Sequence, residues 1–149
     1  MNTSSPRPSR DSYFLEIAQV VSKRATCARR RVGCVLVDKG NRVLATGYNG
    51  VPRGFRHCID NPCAGASAPS GTGLDACLAT HAEANALLQC GDTEAIDTCY
   101  VTASPCIHCT KLLLNTSCRR VVFLEEYPHP QSKDLWLSVK EKIWDKGTV

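Results

Sequence analysis

The sequence predicts an α/β layer fold in which helices cover both faces of a central sheet. Segments of strand length, rich in β-branched residues, alternate along the chain with segments of helical periodicity. Such alternation is typical of helices layered on a sheet. The chain of 149 residues is also long enough for one domain with a single core.

The N-terminal part predicts a tail followed by a helix. Residues 1–10 are dominated by Ser, Pro and Arg and predict a disordered tail, which leaves residues 11–149 as a single domain. A helix is expected from Asp11 or Ser12 to about Arg24. The apolar residues that follow helical spacing there are Phe14, Ile17, Ala18, Val21 and Ala25.

Two strands and a long insertion come next. Residues 32–37 form a nearly continuous apolar run, as in a buried strand, and residues 42–48 form its hairpin partner after a turn at residues 39–41. Residues 51–80 are rich in Gly, Ala, Ser and Pro and show no periodicity. A loop of this length inside a compact domain is either functional or disordered.

The insertion contains candidate ligands for a second, structural zinc. A metal would supply the order that the low apolar content of this segment does not. The alternative is a set of ordinary buried cysteines with an exposed histidine. With one cysteine from upstream included, the candidate ligands are Cys27, His57, Cys58, Cys63 and Cys77.

The C-terminal half alternates between helices and strands. Residues 81–89 are rich in Ala and Leu and predict a helix that Gly91 stops. The later segments are a strand at residues 98–103, a helix at 105–115, a strand at 120–124 and a final helix at 132–144.

Two motifs, residues 80–83 (Thr-His-Ala-Glu) and 104–109 (Ser-Pro-Cys-Ile-His-Cys), carry the ligands of a zinc site. Zinc takes His nitrogen and Cys sulfur in tetrahedral geometry, and a catalytic site keeps one position open for water. His81, Cys106 and Cys109 supply three ligands, which leaves Glu83 beside the metal as a base. Zinc lowers the pKa of such a water to about 7.

Local sequence places both motifs at helix starts. Cys106 and Cys109 are three residues apart and therefore point the same way on a helix. Ser104 suits the N-cap of that helix and Pro105 its first position, while Thr80 suits the cap of the other helix. The thiols would then lie where the helix dipole favours thiolate. We infer that two helix starts face one metal.

The specificity of the signal comes from the combination of the two motifs. A lone C-x-x-C is equally typical of a redox pair, half of a structural zinc site or two buried cysteines, and a lone H-x-E is commonplace. The order H-x-E followed by P-C-x-x-C is the signature of the zinc nucleobase deaminases. A closed structural site is the alternative, and His108 is more simply a bystander than a ligand. The candidate fourth ligands of a closed site are Cys90, Cys99 and Cys118.

Two further features allow two interpretations each. The basic run at residues 27–31 is either a solvated face or, with Arg24, a source of phosphate-binding arginines, because guanidinium groups match phosphate oxygens. Asn49, at the end of the second strand, is followed by Gly50. This pair forms either a tight turn or a rigid support that points the Asn49 side chain into a pocket.

Composition limits the class of protein. No apolar run approaches the ~18 residues of a membrane span, and the N-terminus lacks a signal-peptide core. A cytoplasmic protein, or one in a host cytoplasm, is expected, with its ten cysteines mostly outside disulfides. The net charge of +4 suits a phosphorylated small substrate as well as a nucleic acid.

Over nearly all of residues 12–128, the chain resembles the deoxycytidylate (dCMP) deaminases of the cytidine deaminase-like superfamily. The resemblance to the superfamily rests on the two zinc motifs, on Asn85, and on Val32 and Gly33. The segment Gly-Tyr-Asn-Gly-Val-Pro at residues 47–52 and the Cys/His-containing insertion narrow it to the dCMP branch. The resemblance implies a three-layer fold with a mixed sheet of order 2-1-3-4-5. Its last strand is expected to be short or absent, because only residues 146–149 follow the final predicted helix.

The resemblance also implies a reaction, the deamination of dCMP to dUMP and ammonia, which supplies dUMP for thymidylate synthesis. Glu83 would move protons between the attacking water, N3 of the base and the departing amine. The backbone N–H of Ala82 is suited to hold the base carbonyl. By the same resemblance, the residues expected around the deoxyribose, base and phosphate are Asn49, Ser104, Tyr127 and Arg24.

Regulation is implied by resemblance alone. A hexamer is expected, activated by dCTP and inhibited by dTTP with Mg²⁺, and neither nucleic acid nor membrane is an expected partner. The effector site would lie against a neighbouring subunit. The residues of this chain expected there are Gly47, Tyr48, Asn49 and Gly50.

Three other functions fit part of the sequence. A tRNA adenosine deaminase would carry a broad basic surface, whereas positive charge here is concentrated near residues 23–31. A cytosine, cytidine or guanine deaminase would not need phosphate-binding arginines. A non-catalytic, zinc-stabilised nucleotide-binding module predicts that Glu83→Gln changes little.

Overall fold

A computed structural model of the chain describes residues 6–27, 30–57, 59–60 and 78–149. The first half contains helix α1 and strands β1 and β2. The second half contains α2, a short 3-10 helix, β3, α3, β4, α4 and β5. Their bounds are α1 Arg10–Ser22, β1 Gly33–Asp38, β2 Val43–Tyr48, α2 Ala82–Gln89, the 3-10 helix Thr93–Ala95, β3 Ile96–Ala103, α3 Ile107–Leu114, β4 Arg120–Glu125, α4 Pro130–Leu137 and β5 Ile143–Lys146.

The five strands form one mixed sheet in the order β2-β1-β3-β4-β5. Strand β1 pairs antiparallel with both β2 and β3, whereas β3, β4 and β5 run parallel to one another. The sheet order predicted from the family resemblance is therefore confirmed. Parallel strands need helical crossovers, and α3 and α4 provide them.

Helices cover both faces of this sheet, as predicted. Alternate residues of each strand point to opposite faces. On one face Val35 and Tyr100 pack with Phe14, Leu15 and neighbouring residues of α1. On the other face, residues such as Leu36, Val101 and Phe123 pack with α2, α3 and α4. Those helices contribute Ala82, Ala86, Leu113 and Trp136 to that second core.

A glycine lets α2 lie close to the sheet. A Cβ atom at Gly47 of β2 would overlap the backbone of Ala82 and Ala86 in α2. Since no side chain stands between the strand and the helix, the N-terminus of α2 is fixed directly against β2. This close approach matters because α2 presents part of the site described below.

A cluster of polar side chains joins the start of α1 to strands β3, β4 and β5. Both carboxylate oxygens of Asp11 accept hydrogen bonds from Arg120, at 2.9 and 2.6 Å, and one accepts the Tyr100 hydroxyl at 2.7 Å. Arg120 also pairs with Asp145 of β5 at 3.2 Å. The hydrogen bonds from Arg120 lower the pKa of Asp11 below its ordinary value.

The predicted final helix over residues 132–144 is wrong in its second half. Helix α4 begins at Pro130 and ends at Leu137, and Trp144 belongs to strand β5. The indole Nε1 of Trp136 donates to the Ile143 carbonyl at 2.8 Å, which turns the chain back beside the sheet. Pairing with β4 thus replaces the last helical turns, and the fifth strand is present as a short one of four residues.

The other boundaries differ from the predictions by a few residues. Helix α1 already begins at Arg10, because the Ser9 hydroxyl accepts the Ser12 N–H at 3.1 Å and caps it. Of the predicted tail, residues 1–5 lie outside the described residues, as do residues 61–77 of the predicted insertion. Among the described residues, no helix has the length and apolar character that a membrane crossing needs.

Candidate active site

The imidazole of His81 and the thiols of Cys106 and Cys109 converge between the N-termini of α2 and α3. The sulfur atoms of Cys106 and Cys109 lie 3.3 and 3.5 Å from His81 Nδ1. All three donor atoms lie within 4.8 Å of one another. Among the residues that the structure describes, this is the one group of three or more metal-ligating side chains.

The spacing of this cluster fits a tetrahedral zinc ion. With ordinary Zn–N and Zn–S bond lengths, a tetrahedral site holds its nitrogen and sulfur donors about 3.6 Å apart. The two nitrogen–sulfur distances of 3.3 and 3.5 Å are close to this value. The cluster supplies three donors, which leaves one position of a tetrahedral site for water or substrate.

The ligands themselves begin the two helices. His81 is the N-cap of α2 and Cys106 is the N-cap of α3, both with extended backbone angles. The predicted caps Thr80 and Ser104 therefore lie before the helices. Each helix starts later than the capping propensities suggest, because the side chain at the cap position faces the cluster and not the first turn. The prediction that two helix starts face each other is retained.

The two thiols differ in their affinity for a proton. A hydrogen bond from Cys109, helped by His81, lowers the pKa of Cys106 to about 3. The same hydrogen bond, together with burial, raises the pKa of Cys109. Without a cation the pair therefore favours one thiolate, because two adjacent thiolates repel each other. A divalent metal ion removes that repulsion and holds both sulfurs deprotonated.

Glu83 is a buried carboxyl group beside the cluster. It lies in the first turn of α2 and is only 4% exposed. Burial raises the pKa of Glu83 to about 7, although the nearby His81 opposes the shift. Its carboxylate is not one of the three clustered donors. A carboxyl group with this pKa can both accept and donate a proton near neutral pH.

His81, Cys106 and Glu83 form one wall of a cleft of about 540 Å³, its open mouth included. Ser104 and Tyr127 line the cleft where the chain leaves the parallel strands β3 and β4. Ligands of open α/β sheets bind beyond such carboxyl ends. The other lining residues are Cys27, Arg30, Val32, Asn49, Ala79, Ala82 and Ala103.

Asn49 lines the cleft and does not form the alternative tight turn. Its side-chain oxygen accepts the Val32 N–H at 2.8 Å, and its side-chain nitrogen donates to the Arg30 carbonyl at 2.7 Å. The next residue, Gly50, pairs with Thr80 through two backbone hydrogen bonds of 3.1 and 2.8 Å. Asn49 thus fixes the backbone that carries Arg30.

The predicted phosphate-binding residue Arg24 is not part of the cleft. It is exposed in the turn after α1, where its N–H donates to the Val21 carbonyl. Arg30 lines the cleft in its place, because Asn49 holds the Arg30 backbone at the rim. Its guanidinium lies 5.3 Å from the centre of the Tyr127 ring. Arg29, from the same basic run, lies outside the described residues.

Ser104 and Ala82 occupy fixed positions in the cleft. The Ser104 hydroxyl accepts the Tyr127 N–H at 2.7 Å, and the Ser104 N–H donates to the Glu125 carbonyl at 2.9 Å. Ser104 therefore holds Tyr127 at the rim and caps no helix. Ala82 is fully buried as the first residue of α2 and lines the cleft.

Asn85, which lies in α2 four residues after His81, supports the site without lining the cleft. Its side-chain nitrogen donates to the carbonyls of Tyr48 at 2.8 Å and Thr80 at 3.3 Å. It therefore connects the residue before Asn49 to the residue before His81. The sequence feature that could have indicated this role is an amide side chain one helical turn after the metal ligand His81.

The second predicted zinc lies mostly outside the described residues. Cys58, Cys63 and Cys77 are not among them. Cys27 is buried beside the cleft, whereas His57 is exposed and lines a separate groove. The second zinc therefore stays a prediction.

The predicted effector segment divides between two environments. Tyr48 and Gly50 line the groove that contains His57, which encloses about 1280 Å³ with its open side included. Gly47 packs against α2, as described above, and Asn49 faces the cleft. The effector site itself stays a prediction.

Comparisons with known proteins agree with this geometry. The family model "Cytidine and deoxycytidylate deaminase zinc-binding region" matches residues 8–125. The chain is 44% identical over 131 residues to a deoxycytidylate deaminase of Schizosaccharomyces pombe, a match that covers 85% of this chain and 40% of the relative. It is 43% identical over 126 residues to a deoxycytidylate deaminase of Mycobacterium phage D29, covering 80% of this chain and 98% of the relative.

A solved structure agrees as well. The dCMP deaminase of the cyanophage S-TIM5, in complex with dCMP and dUMP, superposes with a TM-score of 0.75 at 26% identity. The match covers 95% of this chain and 99% of the phage chain. The present chain spans about two fifths of the length of the fission yeast relative and nearly the whole length of the two phage proteins.

Proposed function

Since the match extends over most of its length, the chain belongs to the cytidine and deoxycytidylate deaminase family, and we propose that it deaminates dCMP to dUMP and ammonia. The product would supply dUMP for thymidylate synthesis. The observation that carries the proposal is the His81, Cys106 and Cys109 cluster beside the buried carboxyl group of Glu83. An arginine at the rim of the same cleft supports a phosphorylated substrate.

The reaction adds the oxygen of water to C4 of the cytosine ring and expels the exocyclic amino group as ammonia. A zinc ion held by His81, Cys106 and Cys109 would supply Lewis-acid activation of the water. Glu83 would take a proton from that water and return protons to N3 and then to the departing amine. Its burial keeps bulk water from competing for the proton.

The other cleft residues would bind and orient the nucleotide. The backbone N–H of Ala82, at the start of α2, suits the base carbonyl. Asn49 would contact the deoxyribose, and Ser104 and Tyr127 would border the base. Arg30 replaces Arg24 as the proposed phosphate-binding residue, because Arg30 is the arginine among the described residues that lines the cleft.

An ultraviolet assay of cytosine-ring loss tests this proposal. Zinc-loaded protein would receive dCMP, CMP, deoxycytidine and dCTP separately, and turnover is expected to be far greater with dCMP. A preference for deoxycytidine would contradict the phosphate part of the proposal. No turnover of any of them by zinc-loaded protein would contradict the reaction and favour an RNA substrate or a non-catalytic module.

Regulation and assembly are part of the proposal. The chain would form a hexamer that dCTP activates and that dTTP inhibits with Mg²⁺. The effector nucleotides would bind in the groove lined by Tyr48, Gly50 and Arg53, which is large enough for a nucleotide. Adding each effector to the dCMP assay tests regulation, and sedimentation velocity tests the hexamer. Metal analysis that finds two zinc ions per chain would support the second site.

A cytoplasmic location is also proposed, as a reducing compartment suits this chain. The described cysteines, including the two of the cluster, are free thiols. Fractionation of cells that contain the protein tests the location, and recovery with a secreted fraction would contradict it.

A further inference from the structure

Arg30, at the rim of the cleft, contacts an acidic residue as well as an aromatic ring. Its guanidinium Nη2 lies 3.3 Å from the Oε2 atom of Glu125, and the guanidinium also lies over Tyr127. Glu125 is the last residue of β4 and Tyr127 follows it by two. A carboxylate therefore contacts the one cleft-lining arginine of the described residues.

The two partners of this ion pair differ in their freedom to move. The side chain of Glu125 is 76% exposed, whereas that of Arg30 is 26% exposed. The backbone of Arg30 is held by Asn49, and its side chain is flanked by Tyr127. Glu125 is therefore the partner that can turn towards water, while Arg30 stays at the rim.

We propose that Glu125 competes with the substrate phosphate for Arg30 and so sets the affinity of the cleft for phosphorylated ligands. This inference rests on the proposed function, because it assigns the phosphate of that substrate to Arg30. Carboxylate and phosphate oxygens use the same guanidinium donors. A phosphate that accepts a hydrogen bond from Nη2 of Arg30 therefore displaces the Glu125 carboxylate, which moves to solvent.

The competition makes Glu125 a positioning residue with a measurable cost to binding. An exposed ion pair of this kind shifts an equilibrium by about two- to fivefold. Removing the charge of Glu125 should therefore improve the binding of a nucleoside monophosphate by about two- to fivefold. A residue with only a structural role would weaken binding when replaced, so a gain of affinity distinguishes the two roles.

The neighbouring residue provides a matched control. Glu126 carries the same charge one position along the chain, and its carboxylate accepts a hydrogen bond from Trp144 Nε1 at 3.3 Å. Glu126→Gln changes the net charge by the same amount as Glu125→Gln. If the effect of Glu125 arose from general repulsion of the phosphate, both variants would bind a phosphate better.

Calorimetric titration of the zinc-loaded proteins with dUMP and with deoxyuridine tests the proposal without requiring turnover. Glu125→Gln is expected to bind dUMP about two- to fivefold more tightly and deoxyuridine as the wild type does. Glu126→Gln should bind both ligands as the wild type does. In an Arg30→Gln background the gain from Glu125→Gln should vanish, which a double-mutant cycle measures.

The kinetic counterpart is a lower KM for dCMP in Glu125→Gln with kcat within twofold of the wild type. The inference would be overturned if Glu125→Gln bound dUMP no more tightly than the wild type does. It would also be overturned if Glu126→Gln gained as much affinity as Glu125→Gln, or if the wild type did not bind dUMP. Failure to deaminate dCMP while dUMP binding responds as expected would overturn the proposed reaction but leave the role of Glu125 intact.

Discussion

Replacing Gly47 by alanine is expected to move α2 and, with it, His81. A methyl group at this position would overlap the backbone of Ala82 and Ala86 and would lie 2.9 Å from the Ala86 Cα, where ordinary contacts begin at 3.4 Å. These atoms belong to the helix backbone, so no side-chain rotation relieves the overlap. Overpacking of this kind lowers the free energy of unfolding by about 1–3 kcal/mol.

Gly91→Ala is the matched control for this substitution. A Cβ atom at Gly91 would meet no atom within 4 Å, so the same chemical change creates no overlap. Its expected effect is a gain of about 0.4–1 kcal/mol, because alanine restricts the unfolded chain. The two variants should therefore differ by about 1.4–4 kcal/mol in the free energy of unfolding.

Urea denaturation with a chelator present measures this difference, because metal binding would otherwise add to the stability of the folded state. Zinc affinity is measured separately by competition with a chromogenic chelator. Gly47→Ala should bind zinc more weakly, because α2 positions the imidazole of His81. Equal stability and equal zinc affinity of the Gly47 and Gly91 variants would refute the argument that β2 supports the cluster through α2.

Three further substitutions test other parts of the structure. Glu83→Gln should lower dCMP turnover by about 10²–10⁴-fold while zinc, measured by mass spectrometry, stays bound, because Glu83 is not one of the clustered donors. Joint loss of zinc and activity would contradict this. Arg120 lowers the pKa of Asp11, so the contribution of Asp11 to stability is full above the ordinary carboxyl pKa and is lost as pH falls through the lowered one. The difference in unfolding free energy between wild type and Asp11→Asn should therefore shrink below about pH 4; a constant difference from pH 7 to 3 would count against the ion pair. Glu141→Gly should raise the unfolding free energy by about 0.5–1 kcal/mol, because Glu141 has a φ of 65°, whereas Lys140→Gly should lower it. A loss at both positions would show that Glu141 is not strained.

Elements defined by local pattern could be predicted from the sequence, and the C-terminal segment could not. Strands β1 and β4 follow directly from buried β-branched runs, and alternate residues of each strand belong to the two cores. The stripe of Leu135, Val139 and Ile143 has helical spacing, yet Ile143 lies in a strand. Its conformation depends on pairing with β4, a distant contact that local periodicity does not encode.

The same distinction separates the parts of the site. The three metal donors were predictable, because each motif is short and brings its ligands to a helix start. The arginine at the rim was not, because its position depends on the side chain of Asn49, which is distant in sequence from Arg30. Arg24 and Arg30 belong to the same basic segment, and composition does not distinguish an exposed turn from the rim of a cleft.

The cap positions connect the sequence of the site to its chemistry. His81 and Cys106 occupy N-caps where Ser, Thr, Asp or Asn is preferred, and neither side chain caps its helix. Each helix thereby forgoes a contribution of about 1 kcal/mol. In return, an extended backbone at each cap directs a metal-ligating side chain away from the helix, while the positive ends of both helix dipoles face the cluster. Those dipoles favour the thiolates that a zinc ion requires. Because metal binding adds to the free energy of folding, it can offset the stability that the absent caps would have contributed.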